Sequence, residues 1–220
     1  MEIGKIEKPK VQTFSEKRKL YLVPTLPFEE LKLQFGLDAA KIERFWGEVR
    51  EKIDYFISTY GDISAIFLEG IDETEEINAG FPEKFGKDSN HYRFIKNLMD
   101  RGAKPRGIEK EEHLKISKLL LEEYAKSFLP EMKELYEGFF GKNIDIEGWR
   151  SYLIKKINDV QDEMRFFSSR IVENALGETG SGVLIITEGR QIEFPQGVDV
   201  FQIRPPAFDE IARKMRESMK

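Results

Sequence analysis

Short apolar runs alternate with longer amphipathic stretches along this chain, and this alternation restricts the fold more than any other sequence feature. Leu20–Val23, Ile63–Leu68 and Gly182–Thr187 have the length and composition of buried strands. The clearest helix follows Asp38, with apolar residues recurring at helical spacing up to Gly61. Strands separated by helices favour crossover connections, so we predict an α/β fold with about four or five mostly parallel strands covered by helices.

Two further strands are predicted from weaker patterns, a Pro-interrupted segment at 103–109 and a run at 198–203. Only residues 188–197 separate the last run from the strand before it, which is too short for a helical crossover. We therefore predict that the last strand is antiparallel and lies at an edge of the sheet. A hairpin around Glu188-Gly189-Arg190 is the alternative for this stretch.

The segment 110–176 has the pattern of two long helices that form an antiparallel hairpin. Pro130 is expected to kink or restart the first helix, and the second helix begins after Asp145. Apolar residues spaced by seven lie along the first part: Leu114, Leu121, Phe128 and Leu135. We predict a single α/β domain over 1–220, with 110–176 as a helical hairpin subdomain.

Composition excludes several classes of function. The absence of cysteine excludes disulfides, thiolate metal sites and cysteine nucleophiles. With 35 basic and 40 acidic residues the net charge is −5, so the global electrostatic attraction that drives nucleic-acid binding is missing, and we predict no nucleic-acid partner. No stretch approaches the roughly 18 apolar residues that span a bilayer. We expect a soluble cytoplasmic protein without a membrane role; its 34 % charged residues also suit a heat-loving source.

Three apolar runs end in a carboxylate, at Glu69, Glu109 and Glu188. A parallel sheet gathers its strand ends at one edge, which is where ligands bind in open α/β sheets. Carboxylates brought together there raise one another's pKa, which suits acid–base catalysis, or hold a hard cation such as Mn²⁺ or Mg²⁺.

Two alternatives stay open for these carboxylates. Arginines can neutralise them as structural ion pairs, and those available are Arg106, Arg165, Arg170 and Arg190. Glu109 and His113 lie four residues apart and would share a helix face, which makes them a mixed pair of metal ligands or the partners of a hydrogen bond at the start of a helix.

The order of these segments resembles the superfamily that joins TraB/Tiki-type proteins with erythromycin-esterase-like proteins. The sequence AIFLEG at 65–70 is similar to the family's second strand, and RGAKPRGIE at 101–109 is similar to its third element. The resemblance implies that Arg165 or Arg170 is the arginine of the family's long helix. The chain departs from the family where histidines are expected, with Thr25-Leu26-Pro27 at the first position and Thr187-Glu188-Gly189-Arg190 at the second.

We therefore expect a hydrolase-like fold with a carboxylate-lined cleft at the strand ends. In this hypothesis Glu69, Glu109 and Glu188 carry the chemistry, Arg165 or Arg170 binds an anionic group of a small-molecule or peptide substrate, and Glu69, Glu109 and His113 are the candidate ligands of Mn²⁺ or Mg²⁺. The alternative is a non-catalytic binding or assembly module that uses the helical hairpin as a partner or homodimer surface.

Overall fold

The computed structural model describes residues 17–74, 77, 80–129, 134–138, 145–178, 180–194 and 196–218. The strands are β1 (Arg18–Thr25), β2 (Ala65–Asp72), β3 (Lys104–Glu109), β4 (Ser181–Thr187) and β5 (Val198–Gln202). The helices are α1 (Phe28–Phe35), α2 (Ala39–Tyr60), α3 (Asn90–Asp100), α4 (Glu111–Lys126), α5 (Ile146–Leu176) and α6 (Pro206–Ser218), with a 3₁₀ helix at Phe81–Phe85 and a further helical turn at 134–138. No helix in these ranges is long and apolar enough to cross a membrane.

The five strands form one parallel sheet in the order β3-β2-β4-β1-β5. The predicted α/β fold with helices on a parallel sheet is confirmed. The helix after Asp38 forms because the Asp38 side chain accepts a hydrogen bond from the Ala40 N–H and caps the first turn. Its apolar stripe packs on the sheet through Phe45, Val49 and Ile53.

The prediction of an antiparallel last strand was wrong. β5 pairs in parallel with β1, with Arg18 opposite Val198 and Leu22 opposite Gln202. The connection 188–197 needs no helix, because chain extended at about 3.3 Å per residue is long enough to return along a strand of five residues. Within this connection Ile192 packs against the core. The alternative hairpin around Glu188-Gly189-Arg190 is not formed, since residues 191–194 have no regular secondary structure.

The two faces of the sheet carry different helices. α2, α3 and α6 pack on one face, around Phe45, Phe94 and Phe208, and the C-terminal half of α5 packs on the other through Val172 and Leu176. The chain moves in one direction across the sheet from β1 to β3 and then reverses to reach β4. The connecting helix changes face at this reversal, as the constant hand of parallel crossovers requires.

β2 carries a bulge that shapes the carboxyl end of the sheet. Leu68 pairs with Gly107 and Asp72 pairs with Glu109, so the register between β2 and β3 shifts within 69–71. The bulge packs closely over β3, because a Cβ on Gly107 would lie 2.2 Å from the Asp72 carbonyl oxygen. Only glycine fits there without displacing backbone.

The helical hairpin is formed by α4 and α5, which contact one another along their lengths. α5 is anchored by buried residues, whereas α4 has none. Pro130, where the kink is predicted, lies outside the described residues.

Replacing Gly107 by alanine tests how tightly the bulge is held. Because the new methyl group meets backbone atoms rather than a flexible side chain, we expect the free energy of unfolding to fall by at least about 2 kcal/mol. Gly138→Ala is the matched control, since a Cβ there meets nothing within 4 Å. Urea unfolding followed by circular dichroism measures both variants, and equal stabilities would show that the bulge tolerates a side chain.

Candidate functional site

A buried ion cluster joins the carboxyl ends of β2, β3 and the chain just after β4. Arg190 Nη1 lies 2.6 Å from Glu69 Oε1 and also contacts Glu109 Oε1. The Glu109 side chain is 1 % exposed, whereas Glu69 and Arg190 keep 22 % and 19 % of their side-chain surface. One guanidinium therefore bridges two carboxylates, and only one of these carboxylates reaches the surface.

Local backbone geometry brings these three side chains together. The β2 bulge places the Gly70 N–H 3.2 Å from Glu109 Oε2, to which it donates a hydrogen bond. The Thr187 N–H at the end of β4 donates to Glu69 Oε2. Gly189, at φ +86°, then turns the chain so that the Arg190 N–H bonds the Thr187 carbonyl at 3.1 Å.

The topology explains why the cluster forms at this edge. The connections leave β1 and β2 toward one face of the sheet, and those from β3 and β4 leave toward the other. β2 lies between β3 and β4, so its carboxyl end is flanked on both sides by chain that diverges from it. A position where the connections of neighbouring strands leave toward opposite faces is a topological switch point. Open α/β sheets bind ligands at such positions.

Burial dominates the electrostatics of the cluster. Burial raises the pKa of Glu109 above its usual value, because the attraction of Arg190 offsets only part of the lost hydration. Burial also opposes the charge of Arg190, but its bonds to Glu69 and Glu109 outweigh this effect and raise the pKa of the guanidinium. Arg190 therefore stays charged and offsets the charge of one of the two carboxylates that it contacts. Among the alternatives stated for these carboxylates, the structure shows the structural ion pair, and the arginine that forms it is Arg190.

The other predicted site residues lie outside this cluster. Glu188 pairs with Arg204 at 2.8 Å instead of joining Glu69 and Glu109. Arg170 is exposed on α5. His113 Nε2 lies 3.6 Å from Glu163 on α5, so it contacts the neighbouring helix.

The predicted metal centre is therefore not assembled. Glu69 and Glu109 meet, but a guanidinium fills the space between them and His113 faces Glu163. Within the described ranges no group of three or more His, Cys, Asp or Glu side chains is arranged to hold a metal ion. These residues do not fit Mn²⁺ or Mg²⁺, which need several oxygen ligands around one point.

A cleft of about 720 Å³ opens above the cluster, between the strand ends and the helical hairpin. The sheet side contributes Glu69, Thr187, Gly189, Arg190 and Gln191, and the hairpin contributes Ser117, Asn158, Gln161, Asp162, Met164 and Arg165. We call this space the polar cleft. It has the size of a small-molecule site.

Arg165 lines the polar cleft, but carboxylates surround its guanidinium. Its Nη2 lies 3.3 Å from Asp162 and its Nε lies 3.8 Å from Glu193. Its Nη1 donates to the Gln191 side-chain oxygen at 3.4 Å. The expected role of Arg165 as a free anion-binding group thus conflicts with its contacts.

The hairpin wall of the polar cleft was not predicted from the sequence. Gln161, Asp162 and Arg165 lie three, four and seven residues after Asn158, so the four share one face of α5. This polar stripe is visible in the sequence. Nothing in the sequence indicates, however, that it faces the strand ends.

Comparison of the chain with protein-family models, with curated proteins and with solved structures finds no match. The resemblance to TraB/Tiki-type and erythromycin-esterase-like proteins therefore stays a prediction.

Replacing Arg190 by methionine tests whether the guanidinium holds the strand ends together. We expect the free energy of unfolding to fall by about 3 kcal/mol, because the buried Glu109 carboxylate loses the charge that compensates it. Adding Glu109→Gln to Arg190→Met should restore about half of this loss or more, since the amide removes the uncompensated charge. Denaturant unfolding of the single and double variants measures both effects.

Arg204→Met is the control for this experiment. It removes an arginine that also pairs with two carboxylates, Glu188 and Asp209, but at the surface. We expect it to cost less than about 1 kcal/mol. Equal losses for the two arginines would contradict a structural role of the buried cluster.

Proposed function

We propose that the protein binds a small, neutral, hydroxyl-rich molecule, such as a sugar, in the polar cleft. The observation that carries this proposal is that the charged groups of the cleft pair with one another and leave neutral polar groups for a ligand. Arg190 is compensated by Glu69 and Glu109, and Arg165 by Asp162 and Glu193. An anionic ligand would have to displace a carboxylate from one of these arginines.

Apart from Arg165 Nε and Arg190 Nη2, which are buried and make no hydrogen bond within the described ranges, the remaining hydrogen-bonding capacity is neutral. Asn158 and Gln161 carry primary amides, and Ser117 and Thr187 carry hydroxyls. In the described part of the chain the side chains of Ser117, Asn158 and Gln161 make no hydrogen bond. Amides and hydroxyls both donate and accept, which matches a ligand with several hydroxyl groups.

Glu69 is the member of the ion cluster that such a ligand can contact. It lines the polar cleft and keeps part of its side chain exposed, whereas Glu109 lies behind it and is buried. In the hydrolase hypothesis Glu69 therefore takes the acid–base role, and Glu109 acts as a positioning residue through Arg190. Asp162 supplies a second carboxylate from the helical wall. This proposal uses no metal ion.

Thermal unfolding in the presence of neutral mono- and disaccharides tests the proposal. We expect at least one sugar to raise the melting temperature, because a ligand that binds only the folded state stabilises it by mass action, by about 2.7 kcal/mol at one hundred times its Kd. The double variant N158A/Q161A should lose this shift. Asn174→Ala, an exposed amide elsewhere on α5, should keep it.

Two results would contradict the proposal. One is the absence of any shift with the sugar panel, and the other is a larger shift with sugar phosphates than with the corresponding neutral sugars. Product analysis on the same mixtures tests hydrolysis, and a reaction that persists in Glu69→Gln would remove Glu69 from the acid–base role.

A second candidate function is self-association through the helical hairpin, and the surface of α4 favours it. None of the residues of α4 is buried, although the helix carries several large apolar side chains. Leu119 is 65 % exposed, Phe128 just beyond α4 is 55 % exposed, and Phe166 on α5 is 53 % exposed. Large exposed apolar surface of this kind marks interaction sites. Two copies related by a two-fold axis would cover it as a four-helix arrangement.

Light scattering over a range of protein concentrations tests this second function. We expect a dimer that dissociates on dilution, and we expect Leu119→Glu to give a monomer. Leu33→Glu is the control, because Leu33 is even more exposed, at 87 %, but lies on α1 outside the hairpin. A strictly monomeric wild type at every concentration would exclude the homodimer.

A further inference from the structure

A second cavity lies at the carboxyl end of the sheet, on the face opposite the helical hairpin. It has a volume of about 340 Å³, and its walls are mainly apolar: Leu68, Ile71, Phe81, Phe85 and Ile185. Thr25, Glu69 and His91 complete the lining. We call this space the apolar pocket. It differs from the polar cleft in both its position and its chemistry, and Glu69 forms part of the wall of each.

His91 is the unusual group of the apolar pocket. Its ring is stacked between Trp46, at a centroid distance of 3.7 Å, and Phe85, at 3.8 Å. Its Nε2 atom is buried and has no hydrogen-bond partner in the described ranges. Burial lowers the pKa of this imidazole to about 3, so the ring is neutral at ordinary pH and presents one donor and one acceptor.

Leaving a buried nitrogen without a hydrogen bond destabilises the folded protein, and a ligand that bonds this nitrogen would remove that cost. The side chains that stack on the His91 ring, Trp46 and Phe85, are aromatic and offer Nε2 no hydrogen bond. A ligand that fits the pocket must therefore bury apolar surface against these walls and also bring its own polar group. The volume lies at the lower end of the range for small-molecule sites, and a cavity of about 150 Å³ already holds benzene.

We propose that the apolar pocket binds a small, mainly apolar molecule with a single neutral hydrogen-bonding group, and that this group pairs with His91 Nε2. The geometry favours a ring or short chain that carries one hydroxyl or carbonyl. A charged head group is disfavoured, because it would have to lose its hydration among apolar walls. This site is distinct from the sugar site proposed above, since it lies on the other face of the sheet, and Glu69 is the residue that both cavities share.

Trp46 provides the readout for a binding experiment. The protein contains two tryptophans, and Trp149→Phe leaves Trp46, stacked on His91, as the sole indole. In this background we would titrate cyclohexanol and methylcyclohexane, which have the same ring but differ in the hydroxyl. We expect both to change Trp46 fluorescence at saturating concentration, because both bury a ring in the pocket.

Two variants separate the contributions of shape and hydrogen bonding. Thr25→Leu changes the shape and the apolar surface of the pocket wall and should change the affinity of both probes by a similar factor. His91→Phe keeps a ring between Trp46 and Phe85 but removes the nitrogen, so it should weaken cyclohexanol about three- to tenfold, the value of one neutral hydrogen bond, and leave methylcyclohexane unchanged. Circular dichroism and melting curves confirm that each variant folds, and Thr25→Leu keeps the test valid if His91→Phe does not.

Three outcomes would overturn this proposal. They are no fluorescence change with either probe, affinities of both probes that are unchanged in Thr25→Leu, and an equal loss of both probes in His91→Phe. The N158A/Q161A variant distinguishes this site from the polar cleft, because it should lose sugar binding while it retains cyclohexanol binding. The sugar and pocket proposals can thus fail separately.

Discussion

The Arg190 guanidinium between Glu69 and Glu109 is the interaction on which the carboxyl end of the sheet depends. It links β2, β3 and the chain after β4, three segments that come from distant parts of the sequence. Without a cation between them, two carboxylates at this distance would repel, and one of them is almost completely buried. The main role of the cluster is to position these three segments, because its opposite charges largely offset one another.

Fixing these segments creates two spaces of opposite character on either side of Glu69. On the hairpin face the polar stripe of α5 closes the polar cleft, and on the other face the 3₁₀ helix and α3 close the apolar pocket. The backbone bulge of β2, packed over Gly107, carries Glu69 between the two. A single irregularity in one strand therefore positions the residue that both cavities share.

Much of the fold is predictable from the sequence for physical reasons. The strands β1, β2 and β4 are continuous apolar runs because they are buried on both faces, and α2 has a complete apolar stripe with a capping aspartate. The direction of β5 was predicted wrongly, because the prediction assumed that a parallel connection needs a helix. The described residues of the connection 188–197 contain no helix, but in extended form its ten residues are long enough to return to the start of a parallel strand. The convergence of Glu69 and Glu109 was predicted correctly from the rule that parallel strands end at one edge, but Glu188 turned outward after β4 to pair with Arg204.

Sequence patterns alone predict the layers of this protein, the parallel arrangement of β1 to β4 and the arrival of two glutamates at one edge of the sheet. Periodicity and strand order are local or nearly local properties, so they can be read without coordinates. Only the packing of the folded chain shows that Arg190 meets those glutamates, that His113 lies against Glu163, and which face of α5 lines the polar cleft. Those contacts depend on the register between strands, on turn geometry and on the rotation of α5 about its axis. No pattern of residue types along the chain specifies these features individually.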